Sequence, residues 1–221
     1  MNRWVSSMQR GFLPGRSILQ NVLEMEHHVQ LSSLHNPRAM AIFSDFQAAF
    51  PSVCHGFLVD MMEAIQLPIE ALTFIKNLYK NNRCSIIVGG QRWEGFEMFS
   101  GIRQGCPLSP LIFAIAMDIL LRRASRLFPQ HLIRAYADDL AMLIPEPIRH
   151  LTAVSKLMMD FALRSGLALT IRKTVLVPLW EADLRSLRQD LAQALPEWAA
   201  VQLDFKAKYL GFYLGPPMCN R

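Results

Sequence analysis

The sequence predicts an α+β protein, and three observations lead to that fold class. Short apolar runs of strand length alternate with segments in which apolar residues recur at helical spacing. Two turn signals, Gly89-Gly90 and Asp138-Asp139, each separate two neighbouring apolar runs, a pattern typical of β-hairpins. Of the 221 residues, 52% are hydrophobic and 19% are charged, so the chain can bury a substantial core.

The first half of the chain combines one buried strand, two helices and a hairpin. In order, the predicted elements are a strand at residues 39–43, helices at 57–66 and 69–79, and paired strands at 84–88 and 93–99. The first strand is wholly apolar and ends at Ser44 and Asp45, as expected of a buried strand with polar residues at its carboxyl end. The two helices carry apolar stripes, and alternation at a period of two begins with the hairpin.

The second half contains the remaining helices and strands. They are a helix at residues 111–127, strands at 132–137 and 140–144, a helix at 148–164, strands at 167–171 and 175–179, a helix at 182–194, and a closing pair of strands within 201–214. A loop with two glycines and two prolines, residues 101–110, precedes the first of these helices. Gly166 is expected just past the end of the next helix, and Gly211 and Gly215 interrupt the last strands.

The charge balance is basic. Lysine and arginine total 23 against 18 acidic residues, and 17 of the 23 are arginine, the side chain that binds phosphate in a bidentate manner. A polyanionic partner such as a nucleic acid is one explanation of this bias. A basic surface without any such partner is the other, and composition does not distinguish the two.

Cysteine spacing and hydropathy indicate an intracellular protein. Cys54, Cys84, Cys106 and Cys219 are far apart and have no metal-ligand spacing, which favours free thiols in a reducing compartment. No apolar run approaches the roughly 20 residues that a membrane-spanning helix needs. The first 20 residues also lack the apolar segment of a signal peptide. We therefore expect a cytoplasmic or nuclear protein with no membrane segment.

The strongest chemical signal is a group of three carboxylates at strand ends. Asp138 and Asp139 are adjacent in a predicted hairpin turn, where their charges repel unless a cation lies between them. Asp45 ends another buried strand, and together the three could supply the oxygen ligands for a pair of Mg²⁺ ions. Each signal alone has a simpler explanation, because Asp-Asp is common in solvated turns and a lone Asp is a common helix N-cap.

Six sequence motifs in chain order resemble those of reverse transcriptases. They are QRGFLPGRS (9–17) with Asn21 after it, FSDFQAAF (43–50), GIRQGCPLSPLIFAIAMD (101–118), YADD (136–139), residues 166–174 and KYLG (208–211). The second to fourth are similar to the A, B and C motifs of that family, and the last two fit its D and E motifs. The first motif and RQGCPLSPLIF resemble the branch found in retrotransposons without long terminal repeats.

The resemblance implies a particular fold and reaction. The fold would be a right-hand polymerase palm, a ferredoxin-like antiparallel sheet backed by helices, with partial fingers. A single domain, residues 1–221, would comprise partial fingers at 1–38 and a palm with inserted fingers elements at 39–221, and the thumb and endonuclease would be absent. The reaction would be RNA-templated DNA synthesis with dNTPs, an RNA template, a DNA primer and two Mg²⁺ ions, for which Mn²⁺ could substitute.

The same resemblance implies roles for individual residues. Asp45 and Asp138 would hold both metals, Asp139 would support them, the carbonyl of Phe46 would bind the triphosphate-side metal, and Lys173 would protonate the leaving pyrophosphate. Nucleotide contacts would come from Phe50, Arg103, Gln104 and Gly105, and primer or template contacts from Arg10, Arg16 and Tyr136. Phe50 would exclude a ribose 2′-hydroxyl.

Several of these assignments have structural alternatives. Phe50 is also typical of core packing, Tyr136 of an ordinary strand aromatic, and Arg103 and Lys173 of solvated surface residues. Pro51 follows the A-motif aromatic, where members of the resembled family commonly carry an acid, and this departure bears on the local backbone shape more than on Asp45.

Two other functions are compatible with the sequence. One is an RNA-dependent RNA polymerase, against which Phe50 and the RQG string argue. The other is a catalytically incompetent remnant that only binds nucleic acid, because the expected absence of outer fingers and thumb would leave primer-template and triphosphate weakly held.

Overall fold

The computed structural model describes residues 4–36 and 38–217. Three of the four cysteines lie within this part of the chain and are free thiols there, as predicted, whereas Cys219 lies outside the described residues. In the same part of the chain, no helix combines the length and the apolar character needed to cross a membrane.

Helices and strands alternate along these residues. They are α1 (Ile18–His35), β1 (Met40–Ser44), α2 (Ala49–Ser52), α3 (His55–Ala64), α4 (Ile69–Tyr79), β2 (Arg83–Val88), β3 (Gln91–Glu97), α5 (Ser109–Leu127), β4 (Leu132–Tyr136), β5 (Asp139–Ile144), α6 (Pro147–Ser165), β6 (Val175–Pro178), α7 (Leu184–Ala194), β7 (Gln202–Leu203), β8 (Ala207–Tyr209) and β9 (Phe212–Leu214). Short 3₁₀ helices cover Ile171–Lys173 and Pro196–Trp198.

The main sheet has five strands in the order β4-β5-β1-β6-β7. The first four are antiparallel to their neighbours, and their order relative to the chain is that of a ferredoxin-like sheet. β7 adds a short parallel strand at the edge beside β6, so the sheet is mixed rather than purely antiparallel. The α+β class and the ferredoxin-like arrangement are confirmed, with this one added strand as the difference.

Both faces of the sheet are buried, which explains why residues 40–43 of its central strand are all apolar. Along β1, Met40 and Ile42 face a core built with α3 to α7, whereas Ala41 and Phe43 face a second core built with α1 and the β8–β9 hairpin. All five residues of β1 are buried. Because burial on two faces restrains the strand from both sides, the residue that follows it is held in a defined place.

Most predicted elements match the structure within two or three residues, and the exception is the strand predicted at residues 167–171. There only Leu169 makes an isolated bridge, to Phe46. The chain then turns because the carbonyl of Thr170 accepts hydrogen bonds from the amides of Lys173 and Thr174, at 2.9 and 3.0 Å. The apolar run predicted an extended strand, but these local hydrogen bonds favour a 3₁₀ turn.

A pair of histidines, of which His131 is buried, links the start of β4 to α6. His131 is 8% exposed, stacks on Phe128 with ring centroids 4.8 Å apart, and its Nε2 lies 2.7 Å from Nδ1 of His150. Burial, and secondarily the proximity of His150, lowers the pKa of His131 to about 4. The imidazole of His131 is therefore neutral in the folded protein at neutral pH.

This pKa predicts a loss of stability in mild acid. Between pH 6.5 and 4 the unfolded chain binds a proton at His131 that the folded state rejects, so the free energy of unfolding falls as the pH falls through that window. His131→Phe should remove about 1–2 kcal/mol of the loss between pH 7 and pH 5, measured by urea unfolding followed by circular dichroism. The exposed His27, changed to Gln, serves as the control and should keep the wild-type pH dependence. An unchanged slope in His131→Phe would contradict this account.

Candidate active site

The first carboxylate of the site extends from the end of β1. Asp45 follows the last strand residue, and its carbonyl accepts the amide of Thr170 at 2.8 Å. Phe46 next to it is buried and faces Leu169 in the isolated bridge. The two hydrogen bonds of that bridge use the carbonyl of Asp45 and the amide of Gln47, not the carbonyl of Phe46. The backbone around Asp45 is thus held on both sides.

The other two carboxylates come from the β4–β5 hairpin. Its turn consists of Ala137 and Asp138, whereas Asp139 is already the first residue of β5 and pairs with Tyr136. The prediction that both carboxylates form the tip of the hairpin is therefore wrong for Asp139. β5 lies next to β1, with Leu140 opposite Ser44, so this register brings Asp139 and Asp45 to the same end of adjacent strands.

The three carboxylates influence one another electrostatically. Burial raises the pKa of Asp138, and the negative charge of Asp45 raises it further. Burial also raises the pKa of Asp139 to about 6, with Asp138 and then Asp45 as additional causes. The cluster therefore holds negative charge in a partly desolvated place, where a cation is favoured.

Lys173 provides one such cation. The 3₁₀ turn at Ile171–Lys173 brings its Nζ to 3.0 Å from Oδ2 of Asp45. The hydrogen bond and charge of Asp45 raise the pKa of Lys173, whose side chain is largely exposed. In this arrangement the ammonium group of Lys173 is the counter-ion of Asp45, and its role toward pyrophosphate stays a prediction.

The donor chemistry of the cluster suits a hard divalent cation. Asp45, Asp138 and Asp139 offer carboxylate oxygens, the ligands that Mg²⁺ prefers. Within residues 4–36 and 38–217, no three acidic, histidine or cysteine side chains are positioned as they stand to hold a metal ion. One carboxylate oxygen of the cluster, Oδ2 of Asp45, is paired with Lys173.

Phe50 lies between the core and the neighbouring loop. Its ring stacks on Phe113 of α5, with centroids 4.6 Å apart, and meets the ring of Phe12 edge-on at 6.0 Å. Its carbonyl accepts the amide of Ile102 at 2.8 Å, which ties the loop before α5 to this point. Pro51 lies within the short helix α2, which accommodates a proline at its first turn. Phe50 thus packs against the core and also adjoins the loop of the B motif.

The predicted nucleotide-binding residues of the B motif form an exposed loop. Arg103, Gln104 and Gly105 are all exposed, and Gly105 has a φ of +84°. A guanidinium nitrogen of Arg103 donates to the side-chain oxygen of Asn82 at 2.9 Å. The loop is thus accessible to a ligand. The nucleotide contacts predicted for Arg103, Gln104 and Gly105 stay predictions.

Arg10 and Arg16 hold the N-terminal segment rather than an open surface. Arg10 is buried, pairs with Glu24 and donates to Asn21 at 3.2 Å. The guanidinium of Arg16 donates to the carbonyls of Val5, Ser6 and Gln9. Because these donors bind protein acceptors, their placement gives no support to the predicted contacts with primer or template.

Sequence reasoning missed a polar network that joins the first and last of the six motifs to β4. Glu24 accepts hydrogen bonds from both Arg10 and Arg134 of β4, and these bonds, despite the opposing effect of burial, lower its pKa to about 2. Asn21 also donates to the hydroxyl of Tyr209, which belongs to KYLG, at 2.7 Å. The sequence gives no signal of the network, because its contacts with Arg134 and Tyr209 join distant segments.

Comparison with known proteins identifies a family. The family model described as reverse transcriptase (RNA-dependent DNA polymerase) matches residues 2–214. The chain is 29% identical over 133 residues to a Pol polyprotein of the type-1 retrotransposable element R2 from Popillia japonica. It is 32% identical over 114 residues to that of the type-2 element R2DM from Drosophila melanogaster. These matches include 57% and 52% of this chain but only 22% and 11% of the two relatives.

Solved structures agree on the fold. Telomerase from Candida tropicalis, truncated from its C-terminal domain, superposes with a TM-score of 0.66 at 13% identity, over 94% of this chain and 39% of that one. The same enzyme in complex with a fragment of telomeric RNA gives a TM-score of 0.61 over 80% of this chain and 31% of that one. The predicted polymerase palm fold is confirmed. The chain belongs to the reverse transcriptase (RNA-dependent DNA polymerase) family, in its non-long-terminal-repeat retrotransposon branch.

Proposed function

We propose that this chain carries the catalytic centre for RNA-templated DNA synthesis, in which a dNTP is joined to a primer 3′-hydroxyl with release of pyrophosphate. The observation that carries the proposal is the cluster of Asp45, Asp138 and Asp139 at the ends of two adjacent strands. Their mutual effect on pKa supports a cation-dependent role, since like charges gathered in this way need a counter-ion.

The proposed metal ligands follow from the same cluster. Asp45 and Asp138 would hold both of two Mg²⁺ ions, Asp139 would support the outer coordination, and the carbonyl of Phe46 is a further candidate. Bound divalent ions would activate the primer hydroxyl and neutralise charge on the departing pyrophosphate. Mn²⁺, which also takes carboxylate ligands, is expected to substitute.

The protein groups around the cluster have complementary proposed roles. Lys173 would leave Asp45 when metal binds, and its ammonium could then donate a proton to the leaving pyrophosphate. The ring of Phe50, backed by Phe113, would close on the sugar and exclude a 2′-hydroxyl. Gln104 and Gly105 on the exposed loop would contact the incoming nucleotide or template, because the loop is tied to Phe50 through Ile102.

The proposed partners are an RNA template, a DNA primer and dNTPs. The relatives are named as Pol polyproteins of retrotransposable elements, and one telomerase of similar fold was solved with telomeric RNA. A net charge of +5 with 17 arginines is consistent with a polyanionic partner. The division into fingers and palm at residue 38 stays a prediction.

The direct test is extension of a DNA primer on an RNA template by the purified 221-residue protein. Incorporation of dNTPs supports the proposal, preference for NTPs would favour an RNA polymerase, and binding without extension would favour a remnant that only binds nucleic acid.

Asp138→Asn should reduce extension at least about 100-fold, because one shared metal ligand is lost and the reacting groups are no longer aligned. The measurement is single-nucleotide incorporation at saturating primer-template. Asp160→Asn is the matched control, since Asp160 lies on α6 and pairs with the exposed Arg123. Unchanged incorporation by Asp138→Asn would overturn the assignment of this carboxylate.

Asp139→Asn should stabilise the protein when metal is absent. The folded state raises the pKa of Asp139 to about 6, so stability falls as the pH rises from about 4 to 6 and the carboxylate ionises. Because the group is about half solvated, the expected gain for the variant is about 1 kcal/mol at pH 7 in EDTA. Urea unfolding at pH 7 and pH 4 measures it, and the gain should nearly vanish at pH 4. A variant less stable than wild type at pH 7 would contradict the electrostatic account.

Phe50→Val should admit ribonucleotides, because it removes the ring that would meet a 2′-hydroxyl. The ratio of rNTP to dNTP incorporation efficiency should rise about 10-fold to 100-fold. Phe57→Val is the control, because it also removes an aromatic ring, but one that packs on Phe161 rather than on Phe113. If activity survives with an unchanged ratio, Phe50 serves only the core.

A further inference from the structure

The turn that carries Asp138 has an unusual backbone. Ala137, the first residue of this two-residue turn, has a φ of +56°, in the left-handed region that favours glycine. A residue with a β-carbon is disfavoured there, so surrounding contacts must hold it in place. The structure provides those contacts from a segment more than 100 residues away in sequence.

One side chain satisfies both polar backbone groups of the turn residue. The amide nitrogen of Gln9 donates to the carbonyl of Ala137 at 2.9 Å, and its oxygen accepts the amide of Ala137, also at 2.9 Å. The same oxygen accepts the amide of Gly11 at 2.8 Å. Gln9 is fully buried, so these bonds form where water cannot replace them.

The segment around Gln9 fits closely against the hairpin. Gln9 bridges Ala135 of β4 in parallel, with the amide of Arg10 donating to the carbonyl of Ala135 and the amide of Ala135 to the carbonyl of Met8, each at 2.9 Å. A β-carbon added at Gly11 would overlap the backbone of Ala137. Only glycine at position 11 therefore permits this approach.

The segment is itself anchored to the core. Ser6 donates from its amide and its hydroxyl to the carboxylate of Asp118, which is buried in α5 and paired with Arg122. Arg16 binds the carbonyls of Ser6 and Gln9. The contact between Gln9 and the turn is thus connected to the central helix.

We infer that Gln9 is a positioning residue: its side-chain amide fixes the Ala137–Asp138 turn and so sets where the carboxylate of Asp138 lies. This inference rests on the proposed function for its consequence in metal binding, but the hydrogen bonds to Ala137 stand independently of it. Gly11 serves the same purpose by leaving room for the contact.

The first measurement concerns the turn alone. In Gln9→Met, which keeps side-chain length but removes both hydrogen-bonding groups, the amide of Ala137 should exchange with solvent at least about tenfold faster, measured by hydrogen exchange without metal. Val154→Ala, which creates a cavity at a buried position of α6, is the comparison and should change this exchange only as much as its global stability changes. Wild-type protection in Gln9→Met would overturn the inference.

A pair of glycine variants gives an independent comparison. Gly11→Ala should displace the turn and also speed exchange at Ala137, whereas Gly15→Ala should leave it near the wild-type rate. Gly15 has a φ of +75° but nothing within 4 Å of an added β-carbon, so its replacement strains only the local backbone. If Gln9→Met fails to fold, Gln9→Glu replaces it in the exchange measurement at Ala137. An ionised carboxylate cannot donate a hydrogen bond to the Ala137 carbonyl.

The second measurement asks whether the effect reaches Asp138. Mn²⁺ binding, followed by electron paramagnetic resonance, should need about tenfold more metal for half-saturation in Gln9→Met than in Val154→Ala. If the Ala137 amide exchanges faster in Gln9→Met but the variant binds Mn²⁺ as tightly as Val154→Ala does, the inference that Gln9 positions Asp138 is overturned. Absence of Mn²⁺ binding by the wild-type protein would overturn the proposed metal-dependent function, and the exchange measurement would still decide whether Gln9 holds the turn.

Discussion

Mutual repulsion among Asp45, Asp138 and Asp139 is the constraint that the rest of the structure must overcome. Burial raises the pKa of Asp138 and of Asp139, and the charges of the neighbouring carboxylates raise both further. They stay together because the strands that carry them are adjacent in a sheet whose register is set by burial on both faces. Lys173 offsets part of the repulsion by pairing with Asp45.

The N-terminal segment and α1 extend this restraint to the hairpin. Glu24 of α1 binds Arg134 of β4, and Gln9 binds the turn at Ala137, so the outer edge of the sheet is held along its length. Some arginines of this basic protein therefore stabilise the fold and do not only add positive charge to the surface. Arg10 illustrates the point, because its buried guanidinium is satisfied by Glu24 and Asn21.

Local patterns anticipated most elements because the forces behind them are local. The helix at 69–79 matches α4, and Gly166 ends α6 with a φ of +80°, as its position predicted. The strand predicted at 167–171 was wrong because a run of apolar residues does not reveal the hydrogen bonds around Thr170 that turn the chain. Similarly, Asp139 belongs to β5, since pairing with Tyr136 decides where the turn ends.

By itself the sequence determined the α+β class and the family, and it indicated the acidic residues of the candidate site, because periodicity and short motifs carry that information. Only the tertiary structure decided which atoms meet. Lys173 reaches Asp45 across 128 positions, and Gln9 reaches Ala137 across the same separation, through sheet register and a close backbone approach. The family resemblance implies a primer or template contact for Arg16, whereas in the structure its guanidinium binds carbonyls of the protein. Such contacts depend on how distant segments pack, and no local pattern encodes their distances.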